Sequence, residues 1–298
     1  MYAIISPEYS LAVSNGENTS AGTVRRNKEN AQSRAGKDMQ DETKKNSVND
    51  GGEIIVGRNA VLEALSSDVQ LDKIFVADHR FTGSLNRIVA MAKQKGLVVK
   101  QVSEQKLRFM SGTDSHQGVV ATASCARYAS VQDILARAKE SGQPPFIILA
   151  DGVEDPHNLG AIIRTAEAAG AHGIIIPKRR SASLTPIVQK TSAGAVNHLP
   201  VARVPNLPAE MDRLKQEGLW FYAADMNGSN WCEQDYSGAC GLVIGSEGEG
   251  VSRLVMEKCD FRVSLPMLGK VTSLNASVAG GILMYEIARQ RLGLGQIK

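Results

Sequence analysis

Phe146-Ile147-Ile148-Leu149-Ala150-Asp151, continued by Gly152-Val153-Glu154-Asp155-Pro156-His157-Asn158-Leu159-Gly160, decides how this chain folds. The β-branched apolar run reads as a buried strand. Residues 159–169 read as a helix that Gly170 ends. A dinucleotide-binding turn would set G-x-G-x-x-G between the two elements. The chain has no such turn here, which counts against the common nucleotide-binding fold. Asn158 stands where a helix N-cap is expected, since its side chain can accept from exposed backbone amides. Arg164 falls on the second helical turn among Ile162, Ile163, Ala166 and Ala169. Alone, an arginine in that place reads as a solvated face residue.

Downstream, the alternation continues. Residues 173–177, 199–204, 219–224, 241–244 and 262–265 read as strands, and 275–292 as a long last helix. Strands alternating with helices imply a mostly parallel sheet covered on both faces. Upstream lies a smaller α/β unit, with strands near 54–56, 73–76, 97–99 and 118–123 and helices over 58–65, 84–95 and 104–110. It ends near Cys125. Residues 127–143 read as a linker helix, with Val131, Ile134, Leu135 and Ala138 on one face and Pro144-Pro145 at its end. From Ala12 to Glu53 there is no Leu, Ile, Phe, Trp or Tyr, so 1–53 reads as a disordered extension.

With 298 residues, 43% of them hydrophobic, the chain has room for about two domains of ~100–200 residues. No apolar run reaches the ~18–20 residues of a membrane-spanning helix, and no basic region precedes the short apolar start. The expected location is cytoplasmic. Arg25 and Arg26 in a Ser/Thr-containing segment leave an organellar address open. Four cysteines occur without a C-x-x-C pair, so neither a disulfide nor a metal is expected. Net charge is only +3, but residues 54–125 hold nine Lys/Arg against six Asp/Glu. Local excess of this kind, rather than the total, is what a nucleic acid feels.

Two further loops follow strand-like runs. Gly245-Ser246-Glu247-Gly248-Glu249-Gly250 suggests a phosphate loop, but Val251-Ser252 follows where a Walker loop needs Lys and Ser/Thr. It fits a tight wall against an adenosine group instead. Taken by itself, Glu247 reads as the cap or first turn of the helix carrying Leu254 and Met256. Ser273-Leu274-Asn275-Ala276-Ser277-Val278-Ala279 opens a helix of small residues.

Together, the N-x-G-x-x-x-R spacing of Asn158, Gly160 and Arg164, the Gly245–Gly250 loop and the 273–279 segment resemble the three motifs of the SpoU (TrmH-type) RNA methyltransferases, in the knotted SPOUT superfamily. Val56-Gly57-Arg58-Asn59-Ala60-Val61 resembles the opening of the substrate-binding domain that precedes many such catalytic domains. The resemblance covers about 54–298. It implies an L30e/L7Ae-like RNA-binding domain over 54–125, a linker over 126–144 and an α/β-knot catalytic domain with a deep trefoil knot over 145–298. It also implies S-adenosylmethionine-dependent methylation of a ribose 2′-hydroxyl and a homodimer with its active site at the interface. The two-domain layout is similar to enzymes acting on a guanosine of large-subunit rRNA. A tRNA target, a thiostrepton-resistance-type rRNA adenosine or a silent RNA-binding role are the alternatives. By resemblance, Arg164 meets the hydroxyl, and Asn158, Glu247, Ser273 and Asn275 fix it and the ribose. Gly245, Leu265 and Leu274 would hold the cofactor.

Overall fold

The computed structural model describes residues 53–78 and 83–294. The extension expected over 1–53 lies outside the described residues, apart from Glu53. The described chain carries two sheets. The smaller has the order β1-β4-β2-β3, from β1 (Ile54–Val56), β2 (Leu71–Ala77), β3 (Val98–Val102) and β4 (Val119–Ala123). Here β4 runs antiparallel to β1 and β2, while β2 and β3 are parallel. Helices α1 (Arg58–Ser66) and α2 (Ser84–Gln94) bury Val61, Leu65, Leu85 and Ile88 against Ile74 and Val119. On the other face, Leu107 of α3 (Glu104–Ser111) packs with Ala77 and Val120.

The larger sheet is parallel throughout. Its order is β10-β8-β9-β5-β6-β7, from β5 (Phe146–Ala150), β6 (Gly173–Pro177), β7 (Val201–Val204), β8 (Trp220–Asn230), β9 (Cys240–Ile244) and β10 (Phe261–Ser264). Alternation along β5 divides the core. Ile148 packs with Ile174 and Leu242 under one helical layer, and Ile147 and Leu149 with Ile175 and Val243 under the other. The first layer holds α5 (Pro156–Ala168), α6 (Pro186–Thr191) and α9 (Ala276–Arg291). The second holds α4 (Val131–Ser141), α7 (Leu207–Gln216) and α8 (Arg253–Met256).

Three expectations shift. Helix α5 begins at Pro156, whose fixed φ suits a first turn, and Asp155 is its N-cap, accepting from His157 N at 2.9 Å. Asn158 is therefore inside the helix, not its cap. Residues 127–130 are not helical, because the Ser130–Asp133 capping box starts α4 at Val131. Gly142, left-handed at φ 68°, stops α4 before the prolines. The α4 helix belongs to the core of the larger sheet: Ile134 is wholly buried, and a Cβ on Gly173 would lie 2.6 Å from its side chain.

A polar junction joins the two sheets. Asp72 of β2 is 4% exposed and accepts from the Arg203 guanidinium of β7, which stacks 4.2 Å over the Tyr128 ring. Tyr128 Oη donates to Asp72 at 3.4 Å and accepts from Leu184 N at 3.0 Å. Lys73 Nζ donates to Ser183 Oγ at 2.6 Å, and Lys178 Nζ to the Gly96 carbonyl at 3.0 Å. A buried charge is tolerable when paired and bonded in this way.

Candidate active site

The loops after β5, β9 and β10 meet at the carboxyl edge of the larger sheet, where open α/β sheets bind ligands. Asn275 ties them together. Its Oδ1 caps α9, accepting from Ser277 N at 2.9 Å and Val278 N at 3.3 Å. Its Nδ2 donates to Asn158 Oδ1 at 2.9 Å and also to Glu247 Oε1. One side chain thus satisfies a helix end and bridges the first turn of α5 to the Glu247 turn. Asn158 is buried at 7% exposure, so this bond also satisfies its oxygen.

The Glu247 loop is a tight turn closed by reciprocal Ser246–Gly250 backbone bonds, both 3.0 Å. It is not part of a helix: α8 starts only after Ser252, whose amide donates to Asp151 Oδ2 at 2.7 Å. Gly245 permits this turn, since a Cβ there would lie 2.0 Å from the Gly250 carbonyl carbon. Beneath the site, α9 crosses β9 closely. A Cβ on Gly280 would lie 2.5 Å from Ile244 Cδ1.

A cavity of about 540 Å³ lies beside the turn, lined by Gly245, Glu247, Leu265, Thr272, Ser273 and Leu274 among others. All three residues expected to hold the cofactor line it. Ser273 is exposed there, within reach of whatever fills the space. Arg164 is placed differently. It is exposed on α5, with no hydrogen bond or ion pair to any described residue, so one chain does not join it to Asn158, Glu247 or Asn275. The next residue, Thr165, faces Gly281 of α9, where a Cβ would lie 3.6 Å from its methyl group.

A second cavity, about 760 Å³, opens on the other side of the turn; it shares Gly245, Glu247 and Ala276 with the first and adds Asn158. Arg179 and Arg180 line it. Sequence reading did not single them out, although three consecutive basic residues after strand β6 were a usable signal. Thiol chemistry is not favoured at Cys240 or Cys259. Burial pushes the Cys240 thiol up to about 11 and the Cys259 thiol up to about 12, so neither is a thiolate at neutral pH. Among the described residues, no group of three or more His, Cys, Asp and Glu could hold a metal, and no helix is long and apolar enough to cross a membrane.

Residues 145–285 match the SpoU rRNA Methylase family, and residues 54–129 match the RNA 2′-O ribose methyltransferase substrate-binding family. The Bacillus subtilis (strain 168) protein YacO, which carries a TrmH-family tRNA/rRNA methyltransferase name, is 47% identical over 81% of this chain and 97% of its own length. A TrmH-family counterpart from Staphylococcus saprophyticus is 44% identical over 81% of this chain and 97% of its own. An AdoMet-bound rRNA methyltransferase from Sinorhizobium meliloti superposes with a TM-score of 0.50 at 26% identity, covering 86% of this chain and 91% of that one. The SpoU methyltransferase AviRb from Streptomyces viridochromogenes, solved with AdoMet, shares the fold with a TM-score of 0.51 at 23% identity, covering 82% and 92%. Two matched domains, close relatives along most of the chain and three loops gathered at one sheet edge lead to one conclusion: the chain belongs to the SpoU (TrmH-type) family of RNA methyltransferases.

Proposed function

We propose that this protein transfers a methyl group to a ribose 2′-hydroxyl of RNA, at a guanosine of large-subunit rRNA. The observation that carries the reading is the Asn275 bridge, which ties Asn158 to Glu247, and Glu247 borders the cavity lined by Ser273. S-adenosylmethionine fits that cavity. Its volume of about 540 Å³ falls within the ~300–1,000 Å³ of small-ligand sites. The Gly245 turn offers close backbone, and Leu265 and Leu274 offer apolar walls for an adenosine. When bound, this cofactor supplies an activated methyl group.

The protein's part is to position and activate the hydroxyl. A ribose hydroxyl is a weak nucleophile at neutral pH, and orientation can lower the barrier by several kcal/mol. Asn158, Glu247, Ser273 and Asn275 hold the ribose. Arg164 stabilises the developing alkoxide as a fixed cation, because a guanidinium holds its proton too tightly to serve as a literal base.

A second copy completes the site. Val278, Ile282 and Tyr285 follow one another at helical spacing on α9 and are 50%, 38% and 55% exposed. Such a stripe suits a twofold dimer, the commonest oligomer. Arg164 makes no hydrogen bond or ion pair to the Asn275 bridge within its own chain, which leaves it free to act across that interface. The knotted path belongs to the same reading. It is supported by the run from edge strand β10 through 265–275 into α9, which returns against Ile244 and α5. Residues 54–125 bind RNA and 145–298 catalyse, with α4, inside the expected linker 126–144, packed into the core of the catalytic sheet. The bacterial relatives favour a cytoplasmic location.

Mapping 2′-O-methyl groups on unmodified large-subunit rRNA and on tRNA, after exposure to protein and cofactor, tests the target. Methylation of tRNA alone, or of a base, overturns it. Arg164→Ala should lower methyl transfer by about 10²-fold or more with cofactor affinity unchanged, since its contact belongs to the transition state. Activity within tenfold of wild type refutes the role given to Arg164.

A further inference from the structure

We propose that Arg179 and Arg180 form a binding site for RNA backbone phosphates, midway on a basic track leading from the small domain to the ribose site. The inference rests on the reading of this protein as an RNA methyltransferase and adds the route by which RNA reaches the site.

Lys178, Arg179 and Arg180 follow β6 directly. The first of these is already engaged, since its ammonium bonds the Gly96 carbonyl just beyond α2. That contact fixes where the two domains meet. Lys95 adjoins Gly96 in sequence and Arg179 adjoins Lys178, so this bond sets the two segments that carry the basic pairs beside each other. Lys93 and Lys95 on one side and Arg179 and Arg180 on the other are all exposed. None has a hydrogen bond or ion pair from its side chain to any described residue. Four exposed cations with no side-chain partner among the described residues raise the local positive potential and offer it to an anion.

Arg180 adds a second observation. Its φ of 55° lies in the left-handed region, which a non-glycine residue adopts at a cost. Arg179 and Arg180 also line the cavity that holds Asn158 and Glu247. The other charges in that lining are the carboxylates of Asp151, Glu154, Asp155, Glu247 and Glu249. They disfavour a phosphate deep inside. The exposed arginines therefore suit a backbone running along the rim, with the target nucleotide entering from it. Arginine fits this role because its planar fork grips a phosphate through two donors.

The test pairs Arg179→Gln with Arg180→Asn, the asparagine chosen because it tolerates a left-handed backbone. Binding is measured on unmodified large-subunit rRNA transcript without cofactor, across a salt series. Each lost phosphate contact should lower the slope of log K against log salt by about 0.7–0.9, so the pair should lower it by about 1.4–1.8. RNA affinity should fall at least tenfold, and in turnover the loss should fall on KM. Cofactor affinity reports that the fold is intact, and Arg179→Glu provides a second variant in which affinity should fall further. Unchanged slope and affinity overturn the site. So does an equal fall when the same number of charges is removed at Lys139 and Lys258, which would reveal only diffuse attraction. Because binding is read without methylation, the reaction assignment can fail independently.

Discussion

The side-chain amide of Asn275 donates to Asn158 Oδ1 over 2.9 Å, linking positions 117 residues apart. The same nitrogen reaches Glu247, and the oxygen on the other side of the amide caps α9. Donor and acceptor duties are therefore separate and can be removed separately. Aspartate at 275 keeps the cap but loses both donations and sets a carboxylate against Glu247. Asn275→Asp should lower the melting temperature by several degrees at most, because the cap is retained and the loss is about 1–3 kcal/mol for the buried Asn158 oxygen left unpaired. Methyl transfer should fall by about 10²-fold or more, the usual cost of one lost preorganised donor. Single-turnover rates and thermal melts decide this. Activity within threefold of wild type would show that the bridge does not organise the site.

Gly245 and Gly280 both exclude a side chain, but against different neighbours. At Gly245 an added methyl meets backbone at 2.0 Å, which cannot move without opening the turn. At Gly280 it meets the end of the Ile244 side chain at 2.5 Å, which can rotate. Gly245→Ala should weaken S-adenosylmethionine binding at least tenfold by calorimetry. Gly280→Ala should cost about 1–3 kcal/mol of stability as ordinary overpacking, and Ile244→Val should recover part of it. Equal effects of the two alanines on cofactor binding would refute this division of roles.

Much of this arrangement was legible in the sequence, for identifiable reasons. The β-branched apolar run 146–150 and its counterparts at 173–177 and 241–244, alternating with helical stretches, read as buried parallel strands. Their order was not legible, since β5 pairs with both β6 and the distant β9, and spacing carries no such pairing. The start of α5 was misplaced because Asn158 and Asp155 are both good caps, and Pro156 decides between them. At the site, Asn158, Glu247 and Asn275 were picked out by motif, but their shared hydrogen bonds depend on three loops meeting in space. The Asp72–Arg203 pair could not be foreseen, because its partners lie 131 residues apart on different sheets.

His172 links pH to stability. Its Nδ1 accepts from Phe146 N at 2.9 Å, so the ring is neutral with the proton on Nε2, which faces Ser141 Oγ at 3.0 Å. Burial, reinforced by Arg291 and Arg137, holds its pKa below the ordinary 6.5. The unfolded chain therefore binds more protons between the folded value and 6.5, and stability rises with pH across that window. This contribution is complete above 6.5 and is lost as pH falls towards the folded value. Melting temperature should drop on acidification from 7 to 5, and His172→Gln should flatten that drop while lowering stability at neutral pH. A variant with the wild-type pH slope would remove His172 as the cause.

Truncation distinguishes recognition from chemistry, and α4 sets where the cut can fall. A chain beginning at residue 141 looks sufficient from the motifs, all of which lie later. It lacks Val131 and Ile134, both buried in the catalytic core. Losing large buried side chains costs ~2–5 kcal/mol each, so such a chain should not fold stably. A chain beginning at residue 127 keeps them, together with Tyr128. It loses Asp72, but Arg203 then faces water instead of a buried void, so no unpaired charge remains in the interior. This longer form should fold and bind S-adenosylmethionine. It should methylate RNA poorly through a raised KM, because the positive surplus of residues 54–125 is gone and phosphate contacts position the substrate. Removing only residues 1–50 should matter little, since residues 12–50 contain no Leu, Ile, Phe, Trp or Tyr to anchor them. Circular dichroism, calorimetry and steady-state kinetics on the three forms give the answer. The division of labour fails if the chain from 127 methylates rRNA as well as the full protein, or if loss of 1–50 is the more damaging change.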